Sequence, residues 1–169
     1  MTESRKIGRG MLWLAALGVL GMLTLGFDRV LDHQRNPNAS PGSRAGVGFV
    51  EVALAANRQN HYMALALING QEAEVLLDTG ATQVAISAPL AQRLGLPRGS
   101  PMQIATANGI ATAYSTRVTS IRLGQIEVRD VSAKIVPNMT APDVLLGMNF
   151  LKDLEMTQRD GQLLLRQYQ

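Results

Sequence analysis

From residue 49 onward the apolar positions recur with period two in short runs, the mark of half-buried strands. Val50, Val52 and Leu54 alternate before the polar break Asn57-Arg58-Gln59-Asn60. Met63, Leu65 and Leu67 alternate next, and Asn69-Gly70 then predicts a tight type I′ hairpin leading into Val75-Leu76-Leu77. Ser87 ahead of Ala88-Pro89 has the look of a helix N-cap with proline in the first turn, and Gly95 closes that short helix. Strands are predicted over 102–107 and 110–121, around a second Asn-Gly step at 108–109. Ile126 and Val128, then Val131, Ala133 and Ile135, alternate along the next one. Val144-Leu145-Leu146 runs into Gly147 and a short helix, Met148–Leu154, and Asp160-Gly161 turns a last hairpin between 156–158 and 163–166. Short strands at this spacing with one or two brief helices predict a mainly β, barrel-like domain over residues 49–169.

The N-terminal part reads differently. Gly10 to Phe27 is an uncharged apolar run preceded by Arg5, Lys6 and Arg9 and followed by Asp28 and Arg29. Eighteen helical residues would span roughly 27 Å, close to the hydrocarbon thickness of a bilayer. A cleaved signal peptide and a retained anchor both begin this way. No small-x-small site follows Phe27 closely, so a single transmembrane helix over 10–27 is the expectation. The basic cluster would hold residues 1–9 in the cytoplasm and put the rest of the chain on the periplasmic or outer side of the inner membrane. Residues 28–48, rich in Asn, Pro, Ser and Gly, read as a flexible linker.

Charge and composition then narrow the function. The 169 residues carry a formal net charge of +3, but residues 1–48 hold six basic and three acidic side chains while 49–169 hold ten of each. The domain thus has no electrostatic footprint for nucleic acid. With no cysteine there is no thiol nucleophile or thiolate metal site, and two histidines, His33 and His61, are too few for a metal centre. No cofactor motif is present: Gly46-Val47-Gly48 lacks the third glycine and following helix of a nucleotide fingerprint.

One acid stands out. Val75-Leu76-Leu77 delivers Asp78 onto Thr79-Gly80-Ala81, so an apolar strand ends in a carboxylate held at a turn. Alone, Asp-Thr-Gly is an ordinary turn sequence. Its neighbourhood is less ordinary, because a second apolar triplet with glycine, Leu145-Leu146-Gly147, and a small-residue hairpin, 104–113, accompany it. Together these segments resemble the retropepsin-like aspartic proteases, and more narrowly the bacterial membrane-anchored, single-domain members. The matching positions are Asp78 to Thr82, Thr106 to Gly109 and Leu145 to Leu151.

The resemblance implies a closed retropepsin-like barrel and roles for these positions. Asp78 would be the catalytic carboxylate, and Thr79 would hydrogen-bond across a dimer axis. Gly80 and Ala81 would offer N–H groups that orient the acid. Residues 104–113, with Thr106, Ala107, Asn108 and Gly109 among them, would form a flap over the substrate, its tip at Asn108-Gly109, and Leu145, Leu146 and Gly147 would brace the acid loop. Two departures stand beside these roles: Thr82-Gln83 replaces a further acid that grips substrate backbone in retroviral enzymes, and Met148-Asn149 replaces a basic residue.

Amide hydrolysis by carboxylates needs two, one ionised and one protonated. Asp143, Asp153 and Asp160 read as cap or turn residues, and none precedes Thr-Gly. A homodimer pairing Asp78 with its symmetry mate is therefore expected, acting as an endopeptidase on protein or peptide substrate. The alternative is a catalytically silent module that keeps the fold to bind peptides or to dimerise.

Overall fold

The computed structural model describes residues 3–106 and 109–168, apart from the side chains of residues 3–12, 14, 25, 26, 28 and 29. It divides into two compact units, residues 1–35 and 36–169. The first is one helix, α1 (Glu3–Arg35). The apolar run Gly10–Phe27 lies within it, and part of that run is outside the described side chains. Among the described residues no helix is long and apolar enough to cross a membrane.

The second unit is mainly β. Its larger sheet contains β3 (Met63–Ile68), β4 (Gln71–Leu77), β5 (Val84–Ser87), β6 (Pro101–Thr106), β7 (Gly109–Leu123), β8 (Ile126–Val136) and β9 (Val144–Leu146), in the order β3-β4-β9-β5-β8-β7-β6. Leu67 and Ile68 of β3 also pair with Arg122 and Ile121 of β7, which closes all but β6 into a barrel. Leu54, Ile68, Val75, Ile86, Ile121, Ile135 and Leu146 are among the side chains that fill it. A smaller antiparallel sheet, β1-β2-β11-β10, joins the ends of the domain: β1 (Gly42–Gly46), β2 (Phe49–Ala55), β10 (Glu155–Arg159) and β11 (Gln162–Tyr168).

Local chemistry explains the turns. Asn69-Gly70 and Asp160-Gly161 both have positive φ at each residue, as a type I′ hairpin requires. The Ser87 hydroxyl accepts from Leu90 N–H at 3.3 Å and caps α2 (Ala88–Arg93). Leu96 N–H to Ala91 O and Gly95 N–H to Gln92 O close the helix in a Schellman motif at left-handed Gly95. Asp130 sits at φ 55°, where burial along β8 changes phase from Ile126 to Val131.

Two expectations differ from what the structure shows. The linker expected over 28–48 is occupied by structure: α1 continues to Arg35, and β1 pairs with β2 from Gly42↔Ala53 to Gly46↔Phe49. Between them Asn38 is buried, its amide bonding Ala55 O at 2.9 Å and Met63 O at 2.6 Å and accepting from Ala55 N–H at 2.8 Å. A buried amide that satisfies three backbone groups fixes this segment to the domain. In β3 Met63, Ala64, Ala66 and Ile68 are buried, whereas Leu65 and Leu67 are half-buried. Both faces of that strand are apolar, so its phase could not be read from hydrophobicity alone.

Candidate active site

Asp78 lies one residue beyond β4. That strand pairs in parallel with β9, Val75↔Val144 to Leu77↔Leu146, and its last residue is held further by Leu77 N–H to Tyr62 O at 3.0 Å. The ladder extends into the loop itself, where Asp78 N–H donates to Leu146 O at 3.1 Å. Two buried apolar strands thereby fix the backbone of the acid while its half-buried side chain emerges at their mouth. The strand of Leu and Val is thus the mount for one carboxylate.

The loop then folds back on its acid. Gly80 N–H donates to Asp78 Oδ1 at 2.9 Å, and Ala81 N–H donates to Asp78 O at 3.2 Å. The hydrogen bond from Gly80 fixes the orientation of the carboxyl. Thr79, between them, is exposed.

Gly147 braces the loop from behind, and space explains why glycine stands there. A Cβ at this position would lie 2.6 Å from both Ala81 O and Gln83 O. The helix that follows, α3 (Met148–Leu151), then hooks the loop: Met148 N–H donates to Ala81 O at 2.7 Å and Asn149 N–H to Thr82 O at 3.2 Å. The Asn149 side chain accepts from Val84 N–H at 2.9 Å and donates to Ser132 O at 2.6 Å. It therefore ties the exit of the acid loop to β8. Sequence reading assigned no role to Asn149; a polar residue directly after the brace glycine and its methionine was the available signal. Leu145 is half-buried and Leu146 fully buried, as packing side chains of the mount.

The expected flap is a β6–β7 hairpin, paired from Pro101↔Tyr114 to Thr106↔Gly109. Thr106 Oγ1 donates to Gly109 O at 2.8 Å, and Gly109 has φ 104°. Ala107 and Asn108, both expected in the flap, lie outside the described residues. Both faces of β6 are exposed or half-buried, and Ile110 is 81% exposed, so the arm projects from the barrel. Its base is clamped by Gly99 N–H to Ser115 O and Ser115 N–H to Ser100 O.

Two of the other candidate acids, Asp143 and Asp160, have structural places of their own. Asp143 Oδ2 accepts from Glu74 N–H at 3.4 Å and its carbonyl from Ser87 N–H at 2.9 Å, which places it at a strand junction. Asp160 is the left-handed first residue of the last hairpin turn. Among the described residues no group of three or more His, Asp or Glu is placed to hold a metal ion.

Residues 64–153, more than half of the chain, match the family described as "gag-polyprotein putative aspartyl protease". That span contains the Asp78 loop, the hairpin and the Gly147 brace. The chain is a retropepsin-like aspartic protease by family. An uncharacterised protein in the cobV 5′ region of Sinorhizobium sp. is 33% identical over 123 residues, covering 70% of this chain and 53% of that protein. The chain thus spans about half the length of this relative. Among solved structures, a retropepsin-like aspartic protease from Rickettsia conorii superposes with a TM-score of 0.57 at 22% identity, covering 76% of this chain and 95% of the other. That likeness establishes the retropepsin-like fold. The EIAV protease bound to an inhibitor gives a TM-score of 0.46 at 27% identity over 57% of this chain and 90% of that one.

Proposed function

We propose that this retropepsin-like protein is an aspartic endopeptidase whose active centre forms from Asp78 of two copies. The observation that carries the reading is the mount just described: a single half-buried carboxylate, oriented by Gly80 N–H and fixed by two strands and a glycine brace. Such rigidity matches what catalysis demands of an acid, and a peptide-binding module has no use for it.

Two carboxyls brought within hydrogen-bonding distance share one proton, because both cannot ionise at that separation. The ionised one takes a proton from water, whose oxygen attacks the peptide carbonyl carbon. The protonated one hydrogen-bonds the carbonyl oxygen and stabilises its developing charge. Proton transfer to the amide nitrogen then lets the C–N bond break, giving a carboxylic acid and an amine. Thr79, exposed on the loop, is suited to contact the second copy, and the 101–114 hairpin to cover the peptide.

The membrane part of the proposal rests on sequence: an uncharged run over Gly10–Phe27 with basic residues before it would anchor the chain and leave the protease domain in the periplasm. Extraction of membranes at alkaline pH tests this, since an anchored chain stays in the pellet and a peripheral one is released.

For catalysis the test is Asp78→Asn, assayed on an unfolded protein library with products identified by mass. Wild type is expected to cleave and the variant to be silent while melting at the same temperature. Cleavage by the variant would reject Asp78, and silence of both proteins would favour the binding module.

A further inference from the structure

One face of the larger sheet joins the acid to the root of the hairpin. Along β4 the side chains of Val75 and Leu77 pack toward the core, so Leu76 and Asp78 share the other, outer face. Paired residues of neighbouring strands lie on one face, and the register carries this one across five strands. Leu76 of β4 meets Leu145 of β9, Leu145 meets Ala85 of β5, Ala85 meets Lys134 of β8, and Lys134 meets Ser115 of β7. All five are half-buried, while the residues before and after them on β5, β8 and β9 are buried in the core. Ser115 is the residue clamped to Gly99 and Ser100 where the 101–114 hairpin leaves the barrel. The row thus runs from beside Asp78 to the foot of the arm that would cover a peptide.

Lys134 is the one charged member of this row. The other charged side chains of β8 are paired: Arg129 with Glu127 at 2.9 Å, and Asp130 with Arg117 of β7 at 2.6 Å. Among the described residues the Lys134 ammonium makes no hydrogen bond and no ion pair. A half-buried ammonium has given up part of its hydration, and an unmatched one offers that charge to whatever lies along the row.

We propose that Lys134 selects peptide substrates carrying a glutamate or aspartate at a fixed short distance from the scissile bond. The selection rests on the protease reading of Asp78 and adds a substrate class to it. Strands β4 and β8 are three strand spacings apart, about 14 Å, and Asp78 lies two residues, about 7 Å, beyond Leu76. The backbones of Asp78 and Lys134 are therefore roughly 16 Å apart, less the curvature of the barrel. An extended peptide advances about 3.3 Å per residue, and the lysine stem and the acidic side chain share the gap, so the matching position is about two to four residues from the cut. In a pair of copies the second Lys134 takes the same place on the other side of the scissile bond, which mirrors the preference. The charge acts twice, by attracting an acid and by rejecting Lys and Arg at that position.

To test this, the full chain in detergent micelles is incubated with a proteome-derived peptide library, and the cut sites are read by mass. Wild type should cut where Glu or Asp stands at one such position, with Lys and Arg depleted there. Lys134→Glu should invert the preference at the same position. One cleaved peptide is then made with Glu or Gln at that position. The ratio of kcat/KM for Glu over Gln should be about fivefold or more in wild type and about one in Lys134→Met. Salt at about 1 M should shrink the wild-type ratio by screening. The ratio is taken within each protein, so a change in stability or total activity cancels, and a lysine that only supports the fold leaves it unmoved. Cleavage without an acidic preference, or a preference that Lys134→Glu leaves unchanged, overturns the proposal while the protease reading stands. A library left intact by wild type overturns the protease reading, and the selection falls with it.

Discussion

Gly147→Ala is the substitution that asks most about how the acid is held. The φ of Gly147 is −84°, open to any residue, so backbone freedom is not what the position needs. What it lacks is room. The added Cβ would lie 2.6 Å from Ala81 O and Gln83 O and 2.7 Å from Gln83 C, all backbone atoms that cannot rotate aside. An ordinary carbon–oxygen approach is about 3.3 Å or more, so the loop has to retreat by roughly 0.7 Å. That retreat strains the Met148 N–H to Ala81 O bond, now 2.7 Å, and moves the turn that orients Asp78. Overpacking of this kind costs about 1–3 kcal/mol. For a domain of this size that is a melting shift of roughly 3–10 °C. A displacement approaching 1 Å at a catalytic group lowers the rate about a hundredfold. Peptide cleavage and thermal melting of the same preparation measure both. Gly42→Ala, where a Cβ would meet nothing within 4 Å, is the control and should leave both unchanged. A Gly147→Ala protein that melts and cleaves like wild type would refute the brace.

Asn149→Ala removes the acceptor of Val84 N–H and the donor to Ser132 O, leaving two backbone groups at the edge of the loop unpaired. A loss of about 2–3 kcal/mol is expected, read as a lower denaturation midpoint, with faster amide exchange at Val84. Glu51→Gln tests the ion pairs that Glu51 makes with Arg44 and Arg166. The hydrogen bond from Arg166, aided by Arg44 against the opposing effect of burial, holds the Glu51 carboxyl below its ordinary value. A depressed folded value means stability that is present above the unfolded value, roughly 4.3, and is lost as pH falls through the folded one. Melting of wild type should therefore drop more steeply with acid below about pH 4 than melting of Glu51→Gln; equal slopes would contradict the role of these pairs.

Local signals carried much of this fold. The two hairpin turns at 69–70 and 160–161, the Ser87 cap and the Gly95 stop depend only on neighbouring residues, and each could be read directly. The link between the Asp78 turn and Leu145-Leu146-Gly147 was legible only through the resemblance. Its physical basis, a parallel ladder between segments far apart in the chain, leaves no mark on either segment alone. Strand β1, Gly-Ser-Arg-Ala-Gly, has no apolar pattern at all; it exists because β2 offers an edge and Arg44 meets Glu51. Glu51 and Asn38 are buried polar residues whose partners come from other strands, so neither could be told from a surface residue in the sequence. In the candidate site, Asn149 acts through one backbone donor and one backbone acceptor, which every sequence contains and no sequence locates.

The central claim is that each chain supplies half of the active centre, and mixing measures it most directly. Wild type and Asp78→Asn are combined in equal amounts, allowed to exchange, and assayed for peptide cleavage at constant total protein. If two Asp78 side chains are required, only pairs of wild-type chains work, and activity falls to about a quarter of that of undiluted wild type. Activity that falls only to about a half would mean that each chain cleaves alone, and would contradict the shared dyad.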